Sequence, residues 1–97
     1  MPTYISLIKF TQQGVSTIKD APKRLDAAKE MWKANGGELK AFYLTMGRYD
    51  AIAVGTLPNA ESAAKMALVI GRMGNITTET LTAFPEDEYR KIVAALP

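Results

Sequence analysis

TMGRYDAIAV, residues 45–54, decides how the chain folds. Gly47-Arg48-Tyr49 reads as a turn. LKAFYLTM (39–46) before it and DAIAVGTL (50–57) after it read as strands. Both runs place β-branched and aromatic residues among small ones, which suits a pleated, half-buried surface. A glycine in the turn supplies a backbone conformation that other residues resist. The middle of the chain is therefore expected to be a hairpin.

Outward from this hairpin the pattern repeats. TYISLIKF (3–10) reads as an opening strand and TQQG as a loop. Asp20 is placed as the cap of a helix with Pro22 in its first turn. Leu25, Ala28, Met31 and Trp32 give that helix an apolar stripe, and Asn35-Gly36-Gly37 stops it. Trp32 reads as core. A second helix starts at the cap Asn59 and ends at Gly74, with Ala60, Ala63, Ala64, Ala67, Leu68 and Gly71 as its buried side. NITTETLTAF (75–84) is a fourth strand, and Pro85-Glu86-Asp87-Glu88 opens a short last helix with acids at its positive end. The order is βαββαβ plus a tail helix. Its compact solution is a ferredoxin-like α+β sandwich in which strands 1 and 3 are central, antiparallel neighbours.

Matching large against small side chains sets the register. Lys9 stands opposite Asp50, Leu7 opposite Ile52, Ile5 opposite Val54 and Thr3 opposite Thr56. On the other face Ile8 meets Ala51, Ser6 meets Ala53 and Tyr4 meets Gly55. The first face is aliphatic and is assigned to the helices. The second, with Tyr4, Ile8 and Phe10, is then apolar yet uncovered, so a partner subunit, the tail helix or a ligand must cover it.

The 97 residues suffice for one domain, 1–97. Cysteine and histidine are both absent. That excludes disulfides, thiolate and Ser-His-Asp chemistry, Cys or His zinc sites and His-ligated haem. No acidic spacing suggests a metal cage, and no cofactor is expected. The net charge of +2 is too small to argue for nucleic acid. Lys19, Lys23, Arg24, Lys29 and Lys33 alternate with Asp20, Asp26 and Glu30, as on a solvated helix face. MPTYISLIKF lacks a signal-peptide pattern and no apolar run spans a bilayer, so a soluble cytoplasmic protein without a membrane partner is expected. GRMGN (71–75) lacks a phosphate-loop pattern and reads as a helix exit.

The opening motif, Gly47-Arg48-Tyr49-Asp50, resembles the Gly-x-Tyr-Asp element of the GYD domain family. KFTQQG (9–14), KDAPKR (19–24) and GNITTETLTAF (74–84) resemble that family's opening strand, first-helix start and last strand. The resemblance implies a dimeric α+β barrel, in which two ferredoxin-like sheets pack face to face, and hence a homodimer. It implies no particular activity.

The candidate ligand pocket comprises Lys9, Tyr43, Arg48, Tyr49 and Asp50. Asp50 is read either as an acceptor for turn amides and a partner of Lys9, or as a general base. A nearby Lys9 would lower its pKa and so opposes the second role. Tyr49 packs or hydrogen-bonds a polar ligand, and Arg48 is solvated or binds an anion. Glu79 is read as solvated or paired at an interface. Three functions stand open: a small dimeric protein binding an apolar or aromatic ligand, a cofactor-free monooxygenase or isomerase, and a protein-interaction or regulatory module.

Overall fold

The computed structural model describes residues 1–97. Strands β1 (Thr3–Phe10), β2 (Glu38–Leu44), β3 (Ala51–Thr56) and β4 (Ile76–Ala83) form one antiparallel sheet in the order β2-β3-β1-β4. Helices α1 (Gln12–Ser16), α2 (Ala21–Ala34), α3 (Ala60–Arg72) and α4 (Glu86–Ala94) complete the chain. This is the expected ferredoxin-like α+β order, with β1 and β3 central. Their register is also as expected, from Thr3 opposite Thr56 through to Ile8 opposite Ala51.

The faces are the reverse of the expectation. Tyr4 packs with Trp32 of α2, Leu57, and Ala63 and Met66 of α3. Ile8 packs with Ala51 and Ala53 on the same side. The helices thus cover the face where large residues of β1 meet small ones of β3. The reason is Trp32: a Cβ on Gly55 would come within 2.6 Å of its ring, so the indole needs the gap that glycine leaves. Ile5, Leu7, Ile52 and Val54, assigned above to the helices, lie half-buried on the outer face.

Three local readings also change. TQQG is not a loop: Thr11 Oγ1 accepts the Gly14 amide at 3.1 Å and caps α1. The same hydroxyl donates to the Gly74 carbonyl at 2.6 Å, which ties α1 to the end of α3. Asp20 occupies the cap position of α2, but its side chain makes no capping bond, because a 3-10 turn over Ile18–Asp20 already leads into the helix. The buried side of α3 is Ala63 and Met66, with Ala67 and Ile70 beside them, while Ala60, Ala64, Leu68 and Gly71 face solvent. Larger side chains fill the space that an alanine stripe would have left. Asn59 caps α3 as read, its Oδ1 accepting the Ser62 amide at 2.9 Å. No helix is long and apolar enough to cross a membrane.

Candidate functional site

The turn between β2 and β3 is built from its own polar groups. Gly47 has φ +121°, in the region that favours glycine, with open space where a Cβ would sit. Thr45 Oγ1 donates to the Tyr49 carbonyl at 2.6 Å, and the Thr45 amide donates to the Asp50 carbonyl at 2.9 Å. These bonds hold the turn closed and aim Tyr49 and Asp50 back at β1.

Asp50 then extends the central pairing by one step. Its amide donates to the Ile8 carbonyl at 2.8 Å, and its Oδ2 accepts the Phe10 amide at 2.8 Å. The carboxylate stands in for a strand carbonyl at the point where β1 and β3 part. The expected Lys9–Asp50 ion pair does not form. Lys9 instead holds its Nζ 5.7 Å from the centre of the Tyr49 ring, within cation–π range. The Tyr49 hydroxyl donates to Glu79 Oε1 of β4 at 3.1 Å. Glu79 lies opposite Leu7 and so reaches the outer face. Period-two alternation along β4 carried that signal, but the partner depended on the turn's path.

Of the five sequence candidates, the structure brings Lys9, Tyr49 and Asp50 together. Arg48 is exposed in the turn, and Tyr43 lies on β2 on the outer face, outside the hydrogen-bonded cluster. The cluster is a brace that joins the turn to β1 and β4. Asp50→Ala should therefore lower stability by about 1–2 kcal/mol by stranding the partly buried Phe10 amide. Asp50→Asn keeps an acceptor oxygen and should recover most of the loss, both read by urea unfolding.

Two hollows of the fold lie away from this cluster. A cavity of about 30 Å³, room for about one water, lies between sheet and helices, lined by Tyr4, Ser6, Trp32 and Met66 among others. An open cleft of about 260 Å³ lies at the β2 edge, where Leu25, Leu39 and Phe42 form an apolar floor between Lys29 and Lys40. No group of three or more carboxylates is placed to hold a metal ion.

The architecture defines a small ferredoxin-like α+β protein whose turn motif braces the sheet. The chain belongs to the GYD domain family, whose profile matches residues 4–93. A Thermus thermophilus protein named glutamine synthetase and cystathionine beta-lyase binding protein is 31% identical over 86 residues, spanning 88% of this chain and 90% of that one. Two crystal structures share the fold. One, also from Thermus thermophilus, has a TM-score of 0.53 at 24% identity and covers 88% of this chain and 95% of its own. The other, a hypothetical protein from Pyrococcus horikoshii, has a TM-score of 0.55 at 22% identity and covers 89% and 93%.

Proposed function

We propose that this chain acts as a homodimer that binds another protein, a metabolic enzyme of the kind its Thermus thermophilus relative is named for. The observation that carries the dimer is the outer sheet face. Ile5, Leu7, Ile52 and Val54 line it with Tyr43 and Leu81, and no helix of the chain covers it. A face of that composition is stable in water when a second layer removes it from solvent. In the dimer, Lys9, Tyr49 and Glu79 stand at the margin of the contact, where polar groups belong. Lys9 and Tyr49, two of the five residues sketched as a ligand pocket, then belong to a rim, and Tyr43 to the contact itself. The lysine-flanked cleft between α2 and β2 lies on the helix side of the sheet, away from this contact, and is the surface offered to the partner enzyme.

Sedimentation equilibrium should give twice the 10.6 kDa chain mass at micromolar concentration. The immobilised protein should bind purified glutamine synthetase or cystathionine β-lyase of the same organism saturably. Lys29→Glu with Lys40→Glu should weaken that binding at least tenfold while leaving the dimer mass unchanged. Failure of both enzymes to bind would remove the partner class and leave the dimer standing.

A further inference from the structure

We propose that α4 is an arm that docks on a second copy of this chain, against the corner of the sheet where β2 ends. Two such contacts, related by symmetry, would flank the sheet-to-sheet contact. The proposal rests on the dimer reading above and adds a second contact to it.

Tyr89, Ile92, Val93 and Leu96 follow the i, i+3, i+4, i+7 spacing of a core-facing helical stripe, the last just beyond the helix end. All four are exposed nonetheless, Tyr89 by 59% and Leu96 by 65%. Asp87 and Lys91 occupy the opposite side, while Glu86 and Arg90, paired at 2.8 Å, flank the stripe. No other element packs extensively on α4. The molecule measures 52 × 30 × 18 Å, and its radius of gyration is 14.6 Å. A compact chain of this length would have about 12.5 Å.

A second exposed apolar patch stands at the end of β2, formed by Tyr43 on the outer face, 62% exposed, and Met46 just beyond the strand, 98% exposed. The two patches mark opposite corners of the sheet. β2 and β4 are its two edges. Leu44 lies level with Ala51 and Ile8, whereas Ala83, just before α4, lies level with Thr3. Strand spacing and rise put these corners about 22 Å apart. A nine-residue helix is about 13 Å long, so α4 does not reach the β2 corner of its own chain. A two-fold axis along the other diagonal of the sheet places each α4 over the partner's β2 corner, twice and identically.

Area favours the same arrangement. Four strands of this length have a footprint of about 440 Å², so two faces in contact bury roughly 900 Å². Stable interfaces start near about 1,200 Å². Each arm adds a footprint of about 135 Å², and two arms with the surfaces beneath them bring the total to roughly 1,400 Å².

Because the chain has no cysteine, single introduced cysteines report without interference. Val93→Cys protein, carrying a tag, is mixed with untagged Met46→Cys protein, allowed to exchange, and treated with a short bis-maleimide. A cross-linked mixed dimer is expected. In parallel, Ile92→Glu should raise the dimer dissociation constant at least tenfold with no change in the circular dichroism spectrum, since Ile92 is exposed within the chain. A dimer that forms normally with Ile92→Glu, or one without the mixed cross-link, overturns the arm and spares the sheet contact. A wild-type chain that is monomeric at all concentrations overturns both.

Discussion

Replacing Ile8 by Asp should unfold the protein, whereas replacing its neighbour Leu7 by Asp should leave it folded and monomeric. The two residues are adjacent on β1 and point to opposite faces. Ile8 is 7% exposed and wedged against Ala51 and Ala53, beneath the helices. An aspartate there forfeits the aliphatic contacts and buries an unpaired carboxylate, a combined cost of about 4–5 kcal/mol or more. A domain of this size has a total stability of roughly 5–15 kcal/mol. Leu7 lies half-buried on the outer face, so the same change should cost the monomer about 1 kcal/mol and act on association instead. Thermal melts followed by circular dichroism, with sedimentation on the same samples, separate the outcomes. A folded, merely dissociated Ile8→Asp would mean that the helices cover the other face.

The second large effect is expected at the contact between Gly55 and Trp32. Gly55→Val should cost about 3 kcal/mol, because any Cβ there meets the indole ring and the Glu38 carbonyl on β2. Trp32→Ala should cost about 3–5 kcal/mol by emptying the centre of the larger core cluster. The diagnostic is the double variant. With the indole gone, part of the space for the valine is free, so the two losses should sum to less than their separate values. Strict additivity in urea unfolding would show that ring and glycine do not constrain each other.

Much of this fold was legible because its signals are local. The Gly47 turn marked the hairpin, Asn59 marked the start of α3, and size matching between β1 and β3 gave all six observed residue pairs. The choice of face was not legible. Both sides of β1 are apolar, and aliphatic content favoured Leu7 and Ile5 over Tyr4 and Ile8. What decides is a long-range fit of Trp32 over Gly55, and neither residue announces the other in sequence. The same holds for the site. The expected register set Lys9 opposite Asp50, so an ion pair was a natural reading. The next backbone amide along β1, that of Phe10, satisfies the carboxylate instead. α1 was hidden because its cap, Thr11, and its anchor at Gly74 lie far apart in the chain.

The β2 ladder shifts register between Leu39 and Ala41, at Lys40. An edge strand invites further strands to add, and a sheet with two apolar faces is a poor candidate for staying solitary. An irregular edge carrying a lysine is hard to extend by a neighbour's backbone. Growth along the hydrogen-bonding direction is thereby discouraged, while the outer face stays free to meet its own copy. A contact between like faces uses up that surface on both molecules at once, so such an assembly is complete at two and does not continue into a fibre.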